Sequence, residues 1–256
     1  MWWTIHFAMS AKVPGSRRGA ILKSLVLIPA LLALMAAATP LSRAQEPRKE
    51  FWPEIDVYIN VKPKVRLYLL GTLSKSVEDG EMRNEQSREA QIGAHVDYIP
   101  NDHIILRTGY RYGRSVGEND DGFREHRLLA EQTLRKLLPG GLLLSDRNRE
   151  EFRFLNGDFS FRYRNRVTIE RELPFFKRRH IIPYVAGEIF YDTRYDVWNR
   201  NRLGMGVQHT LFAGPLRKML LHKRQVVLDV YFLRQNDSRS QVPRLKAVGA
   251  ALVFYF

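Results

Sequence analysis

The chain has 256 residues, 41 Lys and Arg against 27 Asp and Glu, a formal net charge of +14, and a hydrophobic share of 45%. It has no cysteine, which excludes disulfides, thiolate catalysis and cysteine-held metal. A basic excess commonly marks a nucleic-acid or anionic-lipid partner. Here the basic residues alternate with apolar ones instead of gathering in a tail, which points away from nucleic acid.

The first segment reads as an export leader. Lys12, Arg17, Arg18 and Lys23 precede an apolar stretch from Leu25 to Ala38, and Ser42-Arg43-Ala44 offers small residues at a cleavage site. The stretch is short for a helical span, which needs about 20 residues. The pattern predicts a signal peptide over 1–44, a short periplasmic segment over 45–53 and a barrel over 54–256. The Arg17-Arg18 pair reads as ordinary leader charge, because a barrel crosses the inner membrane unfolded. No later stretch could form a helical span.

From residue 54 onward the chain alternates with period two. In 54–76, Ile55, Val57, Ile59, Val65, Leu67 and Leu69 oppose Glu54, Asp56, Asn60, Lys62, Lys64 and Arg66. Further strands are predicted at 90–99, 103–114, 125–138, 142–154, 159–172, 181–193, 198–211, 225–235 and 245–256. Segment 125–138 would also pass as an amphipathic helix. The connections fall into two alternating sets. One is Pro100-Asn101-Asp102, Pro139-Gly140-Gly141, 173–180 and 212–224, expected to be periplasmic. The other is 77–89, 115–122, 156–158, 194–197 and 236–244, expected to be extracellular.

The last strand has Val248, Ala250, Leu252, Phe254 and Phe256 on one face and closes on phenylalanine. Leu252, Phe254 and Phe256 read as a signal for barrel-assembly machinery. Together with the leader this predicts an all-β, antiparallel transmembrane barrel in a Gram-negative outer membrane, surrounded by outer-membrane lipid. With both chain ends periplasmic the strand number should be even. Splitting 54–76 at Lys62-Pro63-Lys64 would give eleven, but the apolar phase runs through that point. Ten strands are expected, with twelve as the alternative. A soluble β-sandwich would alternate too, but the leader, the terminal phenylalanine and the arginine-rich opposite faces disfavour it.

Trp52-Pro53-Glu54, Arg107-Thr108-Gly109-Tyr110-Arg111-Tyr112, Glu125-His126-Arg127 and the arginine-alternating strands 147–153 and 162–166 resemble an uncharacterised family, domain of unknown function 2490. The resemblance covers 52–256. It implies an outer-membrane barrel and brings no catalytic or binding residues. One departure is Ala251, where the usual assembly signal has glycine; Gly249 lies two residues earlier.

The inward phase carries the candidate site. It holds Arg66, Arg107, Arg111, Arg127, Arg135 and an arginine ladder of Arg147, Arg149, Arg153, Arg162, Arg164, Arg166, Arg200 and Arg202. Glu131, Glu151, Glu170, Glu188 and Asp229 share the phase as acidic partners, with Asp97 and Asp192. Either these groups pair across a narrow lumen, or surplus arginine lines a water-filled path for small anions. Size favours the packed lumen, because open porins have roughly 16–18 strands. Arg149 and Arg164 could approach each other across the 155–158 hairpin, and facing ladders repel unless Glu151, Glu170 or an anion intervenes.

No metal-ligand spacing or cofactor fingerprint is present. A lipid hydrolase would need a nucleophile and base in reach. Ser74, Ser76, Ser115, Glu125 and His126 lie near the expected outer rim, but Glu125 and His126 point to opposite faces. His95 is read as a hydrogen-bonded lumen residue. The expectation is a non-enzymatic barrel, acting as a narrow channel or binding barrel for small anionic solutes. A closed scaffold barrel and a lipid-modifying hydrolase are the alternatives.

Overall fold

The computed structural model describes residues 47–78, 81–116, 122–176, 179–211, 225–239 and 244–256. The expected leader and the expected 212–224 connection fall outside the described residues. The sheet lies in the compact unit Ala44–Phe256.

That unit is all-β. Its strands are β1 (Arg48–Lys62), β2 (Val65–Glu78), β3 (Glu81–Asn101), β4 (Ile104–Arg114), β5 (Arg124–Leu138), β6 (Leu142–Leu155), β7 (Asp158–Arg171), β8 (Leu173–Phe176), β9 (Arg179–Asp192), β10 (Val197–Leu211), β11 (Gln225–Asp237) and β12 (Leu245–Tyr255). Each stave pairs with its sequence neighbour, and β1 pairs with β12 to close the barrel. The short β8 carries on from β7 past Glu172 against the start of β9, so the barrel has eleven staves.

Eleven corrects the expected ten, and the reason is local. The chain turns at Pro63-Lys64, where a missing N–H costs no ladder bond. Across that turn Tyr58 pairs with Tyr68 and Val57 with Leu69. Partners of equal parity keep odd residues on one face in both strands. An unbroken apolar phase is therefore what this hairpin produces, and it could not argue against one. The even-number argument fails because β1 and β12 run parallel, from Arg48 opposite Leu245 to Tyr58 opposite Tyr255. Two further boundaries move. Residues 48–53, expected ahead of the barrel, pair with 245–250. The expected 77–89 loop is largely strand, since β2 runs to Glu78 and β3 begins at Glu81. Segment 125–138 is a strand paired on both sides.

One end of the barrel, the turn end, carries the turns at 63–64, 102–103 and 139–141 and the final residue. Phe256 N donates to Tyr58 O (2.8 Å) and Asn60 N donates to Phe256 O (3.0 Å). The other, the loop end, carries the β6–β7 hairpin, where Asn156 (φ 50°) and Gly157 (φ 98°) supply the two left-handed positions of a primed turn.

The hydrophobic pattern is inverted. Ile92 (65% exposed), Ile55 (54%), Leu128 (53%), Val248 (48%) and Leu252 (38%) face outward, while Asp97 and Glu151 are fully buried inside. A water-soluble sandwich would reverse this arrangement. Aromatics flank the outer band: Phe154, Phe159 and Trp198 toward the loop end, Tyr98, Phe254 and Phe256 toward the turn end.

Candidate functional site: the charged lumen

Alternation sends every second side chain of each stave inward, and strands β2 to β10 fill those positions with arginine and carboxylate. Register decides which groups meet. Arg147, Arg149 and Glu151 in β6 lie opposite Arg166, Arg164 and Arg162 in β7. The two arginine ladders thus face each other directly, and carboxylates from neighbouring staves separate them.

Glu151 is the hub. Arg162 Nε donates to its Oε2 (2.6 Å), Arg164 Nη1 donates to its Oε1 (3.0 Å), and Arg149 and Arg127 stand 3.7 and 3.9 Å away. Glu188 in β9 accepts from Arg164 Nη2 (2.8 Å) and Arg147 Nη2 (3.1 Å), with Arg202 at 3.8 Å. Glu131 in β5 accepts from Arg149 Nε (2.6 Å), and Arg147 and Arg107 lie 3.8 and 3.9 Å off. Asp97 in β3 is clamped by Arg66 and Arg107, each at 2.6 Å. Toward the loop end Arg153 bridges Glu125 and Asp192 (3.0 Å to the latter), and Arg127 Nη2 donates to Glu125 (2.6 Å). Each carboxylate in this set is shared, so the pairs join into one lattice from Asp97 round to Glu188. Shared, charge-assisted bonds in a water-poor lumen strengthen one another.

An aromatic anchor lies beneath the lattice. Phe190 (1% exposed) faces inward from β9, with the guanidinium carbons of Arg164 and Arg202 at 4.7 and 4.8 Å from its ring centre. Near the seam, Tyr58 stacks on Tyr68 (4.5 Å) and Tyr255 (5.0 Å), and Arg107 sits 4.1 Å over Tyr68. Beyond the strands, Arg194 and Arg239 lie in loop-end turns. Hydrogen bonds to Asp192 and Asp237 push their pKa values up, so both stay charged.

Two predicted acidic partners are not arginine partners. Asp229 accepts from Tyr184 Oη (3.0 Å) and Gln208 Nε2 (3.4 Å). Glu170 makes no ion pair among the described residues. Both lie toward the turn end, beyond the reach of the lattice arginines. Asp229 belongs to a different wall, made by β1, β11 and β12. There Glu54 accepts from Tyr231 and Asp56 from Tyr68 (3.0 Å), while the small residues Ala247, Gly249 and Ala251 are buried, Gly249 against the Tyr231 ring. Glu125 and Asp237, which do hold arginines, were absent from the predicted partner set. Glu125 shares parity with Arg127, a signal masked by reading it beside His126 as a rim pair. Arg200 is held by Asp237 (3.4 Å) and Arg202 by Gln235 (2.7 Å).

Arg111 and Arg166 stand outside the lattice. Arg111 donates from Nε to His95 Nε2 (3.2 Å), and neither it nor Arg166 has a carboxylate within ion-pair distance among the described residues. Between the arginine wall and the seam wall lies a cavity of about 890 Å³, lined by Arg111, Arg147, Arg166 and Arg202 on one side and Glu54, Asp56, Asp229 and Tyr231 on the other. Inward glycines admit rings rather than ligands. A Cβ on Gly206 would lie 2.6 Å from the Tyr184 ring, and one on Gly249 would run into Tyr231. On the outer face, His126 Nδ1 lies 2.6 Å from Tyr110 Oη, while Glu125 points into the lumen, so the two do not meet.

The architecture and the site together define a closed β-barrel with an apolar exterior and an arginine–carboxylate lumen. A family model described as a protein of unknown function (DUF2490) matches residues 50–217, and the chain belongs to that family. No curated protein matches it. Among solved structures it is similar to the beta domain of the Bordetella autotransporter BrkA, with 15% identity over 72% of this chain and 81% of that one, at a TM-score of 0.42. It is also similar to an anion-selective porin from Comamonas acidovorans, with 12% identity over 74% of this chain and 54% of the porin, at a TM-score of 0.33.

Proposed function

We propose that the chain is an outer-membrane barrel whose lumen binds, and slowly passes, small anionic solutes. The observation that carries this reading is the cavity of about 890 Å³ beside Arg111 and Arg166, two arginines with no carboxylate within ion-pair distance among the described residues. The lattice neutralises most of the guanidinium charge and fixes the wall, and these two residues supply the remaining positive potential. The exposed apolar band and its aromatic flanks support the membrane location. The reading assigns no catalysis: His126 is engaged with Tyr110 on the outer face, and Glu125 with Arg127 and Arg153 inside.

Single-channel recording under a salt gradient tests it. The parent chain is expected to show small steps with a reversal potential favouring chloride. Arg111→Gln with Arg166→Gln should move that potential toward zero. Equal permeability of chloride and potassium in the parent chain would overturn anion selectivity. A second reading, a closed scaffold barrel, draws on the full burial of Glu151 among four arginines. It predicts a folded barrel that stays silent in the same recording.

A further inference from the structure

The outer surface at the loop end divides into two arcs. Over β6, β7 and β10 it is aromatic, with Phe154, Phe159 and Trp198. Over β11, β12, β1, β2, β4 and β5 it is basic: Arg234, Lys246, Lys49, Lys75, Arg114 and Arg124 occupy outward positions in turn. Register places like charges directly opposite one another. Arg234 faces Lys246, Lys246 faces Lys49, and Arg114 faces Arg124. Like charges opposed across a ladder are unfavourable, and none of the six takes part in an ion pair among the described residues. Among the described residues of the turn end, Lys62, Lys64, Lys136 and Arg171 are basic, and the acidic Asp146 accompanies Lys136 and Arg171.

The depth of the arc is also defined. Along β5 the outward residues run Leu128, His126, Arg124, and along β4 they run Leu106, Thr108, Tyr110, Tyr112, Arg114. Each pair of residues advances about 7 Å along a strand. The surface therefore passes from aliphatic through aromatic to cationic within about 13 Å on β5 and about 27 Å on β4, the order in which a bilayer passes from acyl chain to phosphate. A surface hollow lined by Arg124, His126, Asn156 and Gly157 lies beside this column, next to the outward Phe154 and Phe159 rings. An acyl chain lying over those rings would bring its headgroup to Arg124.

We infer that this basic arc is a docking surface for phosphate-bearing lipid of the leaflet at the loop end, with Arg114 and Arg124 gripping one headgroup and Lys49, Arg234 and Lys246 another. The phosphates supply counter-charge that no described residue gives the arc. The inference rests on the membrane location proposed above and is independent of what the lumen carries.

The test uses the full chain refolded into phosphatidylcholine nanodiscs doped with lipid A or with enzymatically dephosphorylated lipid A. Lipid retained after detergent exchange is counted by native mass spectrometry. Lipid A is expected to be retained about tenfold more than its dephosphorylated form. Arg114→Gln with Arg124→Gln, and separately Lys49→Gln with Lys246→Gln, should each remove a large part of that preference. Lys136→Gln, at the turn end, should leave it intact. Equal retention of the two lipids, or an equal loss with Lys136→Gln, overturns the arc. Heat-modifiable gel migration confirms that each variant is folded. Failure of the parent chain to float with phosphatidylcholine vesicles overturns the membrane reading instead, so the two failures are told apart.

Discussion

Glu151→Ala is expected to destabilise the barrel by on the order of 3–5 kcal/mol, the usual cost of removing one partner from a buried charge cluster. Arg162 loses its direct acceptor, Arg164 keeps only Glu188, and Arg127 and Arg149 lose a second carboxylate beyond Glu125 and Glu131. Among the described residues, the facing arginines of β6 and β7 are then left with Glu131 and Glu188 alone as counter-charge. The solvent that could screen them is excluded, because Glu151 has no exposed surface. Glu170→Ala provides the internal comparison. Glu170 is half-buried on the same lumen wall but makes no ion pair among the described residues, so its loss should cost about 1 kcal/mol or less. The measurement is the urea midpoint of each refolded protein in micelles, followed by tryptophan fluorescence. Equal midpoints for Glu151→Ala and the parent would show that the lattice does not hold the wall.

Gly109→Ala carries the second large effect, on the order of 1–3 kcal/mol from overpacking. A Cβ at this position would lie 2.5 Å from the backbone oxygen of Ala94 and 2.5 Å from His95 Cδ2. The ring could swing away, but the oxygen belongs to the β3 backbone and cannot move without breaking the ladder. His95 itself is buried, stacked 5.0 Å from Tyr68 and hydrogen-bonded by Arg111, so its displacement would also disturb a cavity arginine. Gly187→Ala is the matched control. It points outward from β9 with no atom within 4 Å of the added carbon, and a change of about 0.5 kcal/mol at most is expected. The same denaturation series reads both. A Gly109→Ala protein no weaker than Gly187→Ala would refute the close approach of β3 and β4.

Alternation made the faces legible, and everything that alternation does not encode was harder to read. The arginines of the lattice and those that line the cavity, from Arg66 to Arg202, do face the lumen. Parity says nothing about which residue of the next strand lies alongside. The facing of Arg149 and Arg164 therefore stayed open until the register fixed it. Nor does it reveal a tight turn whose partners share parity, which is why Pro63-Lys64 passed as the middle of one strand. Asp229 and Glu170 have the right parity for lattice partners, but height along the barrel separates them from it. The Tyr184 hydroxyl and the Gln208 amide satisfy Asp229 where guanidiniums were expected. Phe190 carried no warning in sequence, because a single inward phenylalanine among charges reads as an exception. It becomes intelligible only when two guanidinium planes are found over its ring.

The parallel seam has a consequence for how the protein is oriented. β1 starts at the loop end beside Leu245, and β12 finishes at the turn end beside Tyr58. An antiparallel barrel with an even number of staves returns its chain to the side from which it set out; this one delivers it to the opposite side. In a membrane, a peptide grafted just ahead of Arg48 and one fused after Phe256 would meet different compartments, so locating either tag fixes the orientation of the whole barrel.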